Sequence, residues 1–238
     1  YNACVMSQVV GENGLVVGIE VNRKFFEHAL KASKSLGIKN VMFINQDGAI
    51  GYEDLAPYDA VVVTVAVDKI SMQWLRQLKI GGRIIVPLNV FVTQSQPAML
   101  FEKLSQSITA REIVETRFLT AKGTLGNLNE ENLLRLTKIQ PKDFSGVLRL
   151  QYRFEDEMFR ILHMTSWSLC EKDEQIYYVE DSGYAVWQGK WELFGSVEWL
   201  PRLLEQWERA GFAGLRNLQI IYDKDMNFLK MNLYTEGV

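Results

Sequence analysis

Four short apolar segments between residues 14 and 89 place the strongest constraint on how this chain of 238 residues folds. Each is rich in β-branched residues and is followed by polar residues or glycine; they are Leu15–Ile19, Val41–Ile44, Ala60–Thr64 and Arg83–Pro87. Apolar residues at helical spacing lie between the first two segments (Arg23–Leu36) and between the last two (Lys69–Leu78). Gly37 is expected to end the first of these helices, and Gly81-Gly82 to form the turn before the last strand. Strands that alternate with helices predict an α/β fold with a parallel, doubly wound sheet. Runs as apolar as residues 60–63 are typical of strands buried on both faces.

Polar residues stand where three of these predicted strands end. Glu20 follows the first strand, Asp47 and Gly48 follow the second, and Thr64 ends the third. Ligands of doubly wound sheets bind beyond the carboxyl ends of the strands. A carboxylate at Glu20 offers only acceptors and suits a pair of ribose hydroxyls. Asp47 can accept a hydrogen bond from an adenine amino group, and Gly48 lets a purine approach the backbone.

These residues also have local interpretations. Glu20 precedes a helix and could interact with its dipole, and Asp-Gly is a common turn pair. The positions of Glu20 and Asp47 at the ends of adjacent strands favour a nucleotide-type site. The acid alone also fits an NAD(P)-binding oxidoreductase, whose glycine-rich motif would precede Tyr1.

Composition narrows the class of protein. With 26 basic and 29 acidic residues the formal charge is −3, which argues against an electrostatic nucleic-acid binder. No apolar run approaches the roughly 20 residues of a membrane span, and no signal peptide opens the sequence. Cys4 and Cys170 are far apart and lack metal-type spacing, which indicates a reducing cytoplasm. No cluster of His, Cys, Asp and Glu has metal-ligand spacing, so we expect no metal site.

The first ten residues have the pattern of a helix without a start. Ala3, Met6 and Val10 share a face, and no capping residue precedes them. We therefore expect the sequence to be the C-terminal part of a longer protein. Farther along, Gln96–Phe101 and Arg111–Phe118 predict two strands that pair in antiparallel fashion at the sheet edge.

The character of the sequence changes after Thr120, where a glycine-bearing loop (residues 121–127) precedes a short predicted helix (Asn129–Thr137). We place a boundary near residue 143, between domains of residues 1–143 and 144–238. The second domain is predicted to be a small α+β unit. Its elements are a strand at Gly146–Phe154, a helix at Glu155–Cys170, strands at Gln175–Val179 and within Tyr184–Phe194, a helix at Val197–Ala210 and a final strand at Asn217–Tyr222.

The histidines and tryptophans have structural interpretations. His28 is predicted to lie on the surface of a helix, and His163 to be packed rather than catalytic. No Ser-His-Asp or Cys-His set can be argued from the spacing. Most of the tryptophans are predicted to belong to the core or to an interface, with peptide binding as the alternative; they are Trp167, Trp187, Trp191, Trp199 and Trp207.

Six motifs in order resemble the protein-L-isoaspartate O-methyltransferases. They are Val9–Glu20, Leu36–Val41, Gln46–Gly48 with Gly51, Ala56–Asp59, Val63–Ala66 and Gln77–Pro87. The resemblance covers residues 1 to about 120, and Tyr1-Asn2 resembles the end of the family's glycine-rich motif, G-x-G-T-G-Y-[NT]. Leu125–Asn127 and Leu204–Trp207 resemble the C-terminal extension of the long forms in thermophilic bacteria. Gln46 replaces the usual glycine of a G-D-G triplet, and the glycine-rich loop and an upstream serine segment have no counterpart here.

The resemblance implies a class I methyltransferase fold that uses S-adenosylmethionine and releases S-adenosylhomocysteine. Glu20 and Val21 would bind the ribose, and Asp47 with Gly48 the adenine. Thr64, Val65 and Ala66 would line the substrate side, and Thr120 matches a family threonine near the active site. The implied reaction is methylation of the free carboxylate of isoaspartyl residues in damaged proteins and peptides, a cytoplasmic repair reaction.

Other functions stay open at this point. One is an NAD(P)-binding oxidoreductase, although the predicted adenine-binding pair Asp47-Gly48 argues against it. Another is a methyltransferase that acts on a different carboxylate. A third, non-enzymatic possibility is that the Trp-rich C-terminal unit forms a homo-oligomer or covers the substrate groove.

Overall fold

The computed structural model describes residues 1–140, 143–148 and 155–234. The chain forms two compact units. The first contains residues 1–57 and 73–77, and the second contains residues 58–72 and 78–238. Among the described residues, no helix has the length and apolar composition that crossing a membrane requires.

The first unit contains a pair of parallel strands with helices. Its elements are α1 (Asn2–Val10), β1 (Val16–Ile19), α2 (Arg23–Ser35), β2 (Val41–Ile44) and most of α3 (Met72–Arg76). β1 and β2 pair in parallel from Val16 opposite Val41 to Ile19 opposite Ile44. The predicted strand–helix–strand order is therefore confirmed, with both strands ending at the same edge.

Local signals fix the two ends of α2. At its start, the Asn22 side chain accepts a hydrogen bond from the Lys24 amide at 3.0 Å, which satisfies one of the otherwise unpaired N–H groups of the first turn. At its end, Gly37 has a φ of 66° and its amide bonds to the Lys34 carbonyl at 3.1 Å. This is the glycine-terminated helix end that the sequence predicts.

The second unit contains two sheets. The six-stranded sheet has the order β13-β12-β6-β5-β4-β3, and the five-stranded antiparallel sheet has the order β7-β11-β10-β9-β8. Within the first sheet β3 and β4 are parallel and the other pairs are antiparallel. The strands are β3 (Tyr58–Val62), β4 (Leu78–Pro87), β5 (Pro97–Lys103), β6 (Ser107–Glu115), β7 (Phe144–Leu148), β8 (Leu169–Lys172), β9 (Gln175–Val179), β10 (Gly183–Trp187), β11 (Trp191–Gly195), β12 (Leu218–Asp223) and β13 (Phe228–Leu233), and the helices are α4 (Leu128–Lys138), α5 (Glu155–Ser166) and α6 (Trp199–Arg209).

The helix predicted at Lys69–Leu78 is wrong in extent, because α3 has only five residues. Leu78 already belongs to β4, where it pairs with Tyr58 of β3. The predicted turn at Gly81-Gly82 lies inside β4, close to a shift in the register with β3. Gly81 there has a φ of 79°, which glycine adopts without strain.

The predicted position of β5 and β6 at the sheet edge is wrong, because β12 pairs with β6 and β13 pairs with β12. The final strand predicted at Asn217–Tyr222 is thus followed by another strand. β3 is itself an edge strand, and Val62 is 46% exposed, so the expected burial on both faces is not found there.

The C-terminal elements otherwise follow the prediction closely. β9 has the predicted bounds, and Tyr184–Phe194 falls into two strands, β10 and β11. The helix predicted to reach Cys170 ends at Ser166, because Trp167 has a φ of 52° and β8 begins at Leu169. Of the strand predicted at Gly146–Phe154, residues 149–154 lie outside the described residues.

The predicted domain boundary at residue 143 stays a prediction. The compact units divide the chain elsewhere, and β12, from the predicted second domain, pairs with β6, from the first. Aromatic residues fill the core of the second unit, where Trp191 and Trp207 are buried as predicted. Trp199, in contrast, is 53% exposed.

Candidate functional site

The first unit brings Glu20 and Asp47 to one edge of the β1–β2 pair. The Glu20 amide donates to the Ile44 carbonyl at 3.0 Å, which continues the ladder one residue past the strand. Asn45 adds side-chain bonds from Nδ2 to the carbonyls of Glu20 at 2.7 Å and Val21 at 3.2 Å. The segments that follow the two strands are therefore tied together as the sequence analysis expects.

The Glu20 carboxylate accepts one hydrogen bond in this arrangement. Its Oε1 accepts from the Asn22 amide at 2.7 Å, and no other described residue bonds to the carboxylate. A carboxylate has about four acceptor positions, so most remain for a ligand. The first-turn amides of α2 that have a side-chain partner use Asn22, so Asn22 supplies the helix cap and Glu20 is not needed for it.

Asp47 and Gly48 form a turn that leaves room beside the backbone. An Asp47 carboxylate oxygen accepts from the Ala49 amide at 2.9 Å, so the local turn interpretation of this residue is present in the structure. A Cβ added to Gly48 would have no heavy atom within 4 Å. Since packing within the chain does not require a glycine here, the open space supports a ligand that approaches this backbone.

Two side chains that were not predicted as site residues, Trp74 and Gln77, hold the turn at Asp47-Gly48 in place. Trp74 donates from Nε1 to the Gly48 carbonyl at 2.7 Å. Gln77 accepts from the Tyr52 amide at 2.9 Å and donates to the Ile50 carbonyl at 2.9 Å. Their spacing marks one face of a helix, but no local pattern indicates which backbone groups they bind.

The second unit brings the predicted substrate-side segment beside Thr120. The Ala66 amide donates to the Leu119 carbonyl at 2.9 Å, and the Ala121 amide donates to the Ala66 carbonyl at 2.7 Å. Ala66 and Thr120 thus form a parallel bridge. Thr64, Val65 and Thr120 are exposed, whereas Ala66 is fully buried. The backbone pairing therefore leaves two exposed threonines, Thr64 and Thr120, in one region.

Asp68, which is 4% exposed, stabilises the end of this segment through hydrogen bonds. Its carboxylate accepts from Asn89 Nδ2 at 2.9 Å and from the Leu128 amide at 3.1 Å, and its own amide donates to the Leu125 carbonyl at 2.7 Å. Burial raises the pKa of Asp68, and the bonds from Asn89 and Leu128 oppose that rise. The Asp68 network joins the end of the segment to the start of α4.

His163 contacts the same residue from α5. Its Nε2 lies 2.8 Å from the Asp68 carbonyl oxygen, and its ring packs edge-on against Phe91 and Trp167, with centroid distances of 5.7 and 5.3 Å. A carbonyl oxygen only accepts, so Nε2 carries the hydrogen. The ring is fully buried, which lowers the pKa of His163 to about 4. This confirms the prediction of a packed histidine; His28 is exposed, also as predicted.

The described part of the chain contains no group of three or more His, Cys, Asp or Glu side chains placed to hold a metal ion. Of the predicted site residues, Glu20, Val21, Asp47 and Gly48 lie in the first unit, and Thr64–Ala66 and Thr120 lie in the second. Within each unit the structure brings the predicted residues into one region.

Comparisons with known proteins point in one direction. Residues 1–126 match the sequence model of the family described as Protein-L-isoaspartate(D-aspartate) O-methyltransferase. A Protein-L-isoaspartate O-methyltransferase of Thermotoga maritima is 38% identical over 221 residues, which cover 92% of this chain and 68% of that protein. Protein-L-isoaspartate O-methyltransferase 1 of Archaeoglobus fulgidus is 42% identical over 88 residues, 37% of this chain and 41% of that protein.

A solved structure is similar over nearly the whole chain. It carries the name protein-L-isoaspartate O-methyltransferase, has a TM-score of 0.86 and 35% identity, and covers 99% of this chain and 73% of its own. The similarity therefore extends well beyond the 126 residues that match the family, into the C-terminal elements.

Proposed function

Because this chain belongs to the protein-L-isoaspartate(D-aspartate) O-methyltransferase family, we propose that Glu20, Val21, Asp47 and Gly48 hold the adenosine part of S-adenosylmethionine. We also propose that Thr64, Val65, Ala66 and Thr120 face the isoaspartyl carboxylate. The family methylates isoaspartyl residues in proteins and peptides with S-adenosylmethionine as donor. Membership thereby disfavours the oxidoreductase alternative.

The cofactor proposal rests on the arrangement of Glu20 and Gly48 at the edge where β1 and β2 end. Glu20 Oε1 accepts a single bond at 2.7 Å from Asn22, and the space beside Gly48 is open to 4 Å. The Glu20 carboxylate can accept hydrogen bonds from a ribose, and the open space beside the Gly48 backbone can accommodate an adenine. Trp74 and Gln77 keep the corner in one conformation, so less ordering is needed on binding.

The reaction requires little from the protein beyond orienting the substrate carboxylate and the methyl donor. Bound S-adenosylmethionine supplies an electrophilic methyl group. The isoaspartyl α-carboxylate resembles a chain-terminal carboxyl, whose pKa of about 3.3–3.7 leaves it ionised at neutral pH, so no general base is required. What the chain must provide is a fixed approach and donors for the carboxylate.

Thr64 and Thr120 are the side chains of the second unit best suited to that task. Both are exposed, both can donate a hydrogen bond from a hydroxyl group, and the bridge between Ala66 and Thr120 fixes the backbone near them. The Asp68 network holds the end of the same segment rigid. We assign these threonines to positioning the substrate carboxylate.

The decisive test of the cofactor site is Glu20→Ala in the full-length protein, titrated calorimetrically with S-adenosylhomocysteine. Loss of charge-assisted bonds to two hydroxyls should cost about 2–3 kcal/mol, a rise in Kd of about 30- to 150-fold. Glu20→Gln keeps one acceptor and should give an intermediate Kd.

Glu27→Ala is the matched control, because Glu27 is an exposed carboxylate of the same unit that pairs with Arg23 at 2.9 Å. Its Kd should equal that of the unchanged protein. Equal Kd values for Glu20→Ala and Glu27→Ala would refute the assignment of Glu20. The activity itself is tested with an isoaspartyl peptide and labelled S-adenosylmethionine, which should yield a base-labile methyl ester.

Two less direct proposals concern the setting of the protein. The unpaired thiols of Cys4 and Cys170 support a reducing, cytoplasmic location, which fractionation of the native cells would test. The exposed side chains of Trp199 and Leu233 in the C-terminal elements support self-association. Sedimentation of the protein and of Trp199→Lys would show equal masses if that idea is wrong.

A further inference from the structure

The segment that follows β6, residues 116–120, leads the chain of the second unit to the pairing of Thr120 with Ala66. Little burial of apolar surface holds this segment, because Phe118 is 39% exposed and Leu119 is 86% exposed. Apolar side chains stabilise a conformation in proportion to the area that they remove from water. The course of the segment, and with it the position of Thr120, therefore depends on hydrogen bonds.

Gln96, which directly precedes β5 and is 9% exposed, binds the start of this segment. Its carbonyl accepts from the Thr116 amide at 2.9 Å and from the Thr116 hydroxyl at 2.6 Å. Its side-chain Oε1 accepts from the Phe118 amide at 2.6 Å, and its own amide donates to a Glu115 carboxylate oxygen at 2.6 Å. Gln96 thus fixes the end of β6 and the first residues after it.

The side chain of Gln96 takes the place of a backbone acceptor. If the antiparallel ladder continued beyond the bond between Thr116 and Gln96, the Phe118 amide would donate to the carbonyl of Gln94. The backbone turns at Gln94 instead, where φ is 54°, and the carbonyl of this residue accepts from the Arg117 guanidinium at 2.9 Å. Oε1 of Gln96 then supplies the acceptor that the Phe118 amide requires.

The bonds of Gln96 complete a ring of backbone pairs around the proposed substrate-side segment. Ala66 pairs with Thr120, and the residue after Ala66 pairs with Leu88. The Leu88 amide donates to the Pro97 carbonyl at 2.9 Å, and Pro97 follows Gln96 in the chain. Gln96 in turn binds the segment that contains Thr120. A change at the Gln96 side chain is therefore transmitted to Thr120 over only two residues of backbone.

We propose that Gln96 is a positioning residue for the methyl transfer and that it acts through Thr120. The inference rests on the proposed role of Thr120 in orienting the isoaspartyl carboxylate. By binding the Phe118 amide, Gln96 holds the Thr120 hydroxyl in the orientation in which it meets that carboxylate. Orientation of this kind affects the rate strongly, since a displacement of about 1 Å can lower it by about 100-fold.

The test is the steady-state methylation of an isoaspartyl peptide by the full-length protein and its variants. Gln96→Met has a side chain of similar length without the oxygen, so its kcat should fall about 5- to 30-fold. Gln96→Glu keeps an acceptor and should retain most of the kcat, because Arg117, which lies 3.1 Å from Glu115, offsets the added charge. The Kd of S-adenosylhomocysteine should be unchanged in both, because the residues proposed to bind it belong to the first unit.

A double-mutant cycle with Thr120→Val separates positioning from a general loss of stability. Thr120→Val should itself lower kcat, and adding Gln96→Met to it should lower kcat by a further factor of about two at most. Gln219→Met is the matched control, because Gln219 lies in β12 of the same sheet, opposite Asn232, and its kcat should equal that of the unchanged protein. All assays are run below the lowest Tm of the set, and Gln96→Asn, whose shorter side chain withdraws the acceptor, replaces Gln96→Met if that variant does not fold.

The outcomes separate the two proposals. If the unchanged protein does not methylate the peptide, or if Thr120→Val has an unchanged kcat, the proposed function or the proposed role of Thr120 fails, and this inference fails with it. If Thr120→Val lowers kcat but Gln96→Met does not, or if the two losses multiply, only this inference is overturned. A loss in Gln96→Met that Gln96→Glu shares in full would also overturn it.

Discussion

Lowering the pH from 7 to 5 should destabilise this protein through His163, one of only two histidines in the chain. The imidazole is fully buried, its Nε2 donates to the Asp68 carbonyl at 2.8 Å, and its Nδ1 has no partner among the described residues. The bond to Asp68 favours the charged ring, but by less than burial disfavours it. Burial therefore lowers the pKa of His163 from 6.5 to about 4.

The sign and size of the effect follow from proton linkage. Between pH 4 and 6.5 the unfolded chain binds more protons at this residue than the folded chain, so the free energy of unfolding rises with pH in that window. The contribution is fully present above pH 6.5 and is lost as the pH falls towards 4. It amounts to about 3 kcal/mol in total and about 2 kcal/mol between pH 7 and 5.

Two buried acids act in the opposite direction. Burial raises the pKa of Asp68 and of Glu112 above their usual values of 3.8 and 4.5. In the folded state they hold protons to higher pH, so their contributions to stability fall as the pH rises through the window above those values. The unchanged protein thus shows only a net slope, and a variant is needed to isolate the histidine.

His163→Gln provides that variant, because its amide nitrogen can still donate to Asp68 but does not titrate. Urea unfolding at pH 7 and pH 5 should show the unchanged protein losing about 2 kcal/mol more than His163→Gln. His28→Gln, at an exposed position, should follow the unchanged protein. Parallel losses in the unchanged protein and in His163→Gln would refute the reasoning, since the buried ring would then not control the slope.

Two further substitutions test the supports of the proposed sites. Asp68→Ala should lower the free energy of unfolding by about 2–4 kcal/mol, because it leaves the Leu128 amide and the Asn89 side chain without their acceptor. A free energy of unfolding, measured in urea, that lies within about 0.5 kcal/mol of the unchanged protein's value would contradict this. Gly51→Ala should lower Tm in calorimetry and weaken S-adenosylhomocysteine binding, because Gly51 has a φ of 64° and its added Cβ would lie 2.1 Å from Gln77 Oε1. An unchanged Tm would show that Gly51 and Gln77 accommodate the added methyl group without loss of stability.

The first unit could be predicted well because its signals are local. The apolar runs of β1 and β2, the Asn22 cap and Gly37 all act within a few residues, and they set both the elements and the edge where Glu20 and Asp47 lie. Neighbouring parallel strands end at the same edge whatever surrounds them. For this reason the position of the proposed cofactor residues followed from sequence pattern alone.

The region around α3 could not be predicted in the same way. Ile70, Trp74 and Leu78 recur at a spacing of four, and all three are buried, but only Trp74 lies in the helix. Periodicity reports which side chains are buried and does not distinguish a helix from a chain held by distant partners. Here the distant partner is β3, which recruits Leu78 into a strand.

The substrate-side region depends on still longer separations in sequence. His163 bonds to Asp68 across 95 residues, and β12 pairs with β6 from more than 100 positions farther along the chain. Side chains beyond residue 143 thus support backbone before it. A division of the chain at that point, even if it separates two functions, would remove His163 from Asp68 and β12 from the six-stranded sheet. The C-terminal elements are therefore part of what holds Thr64–Ala66 and Thr120 in place.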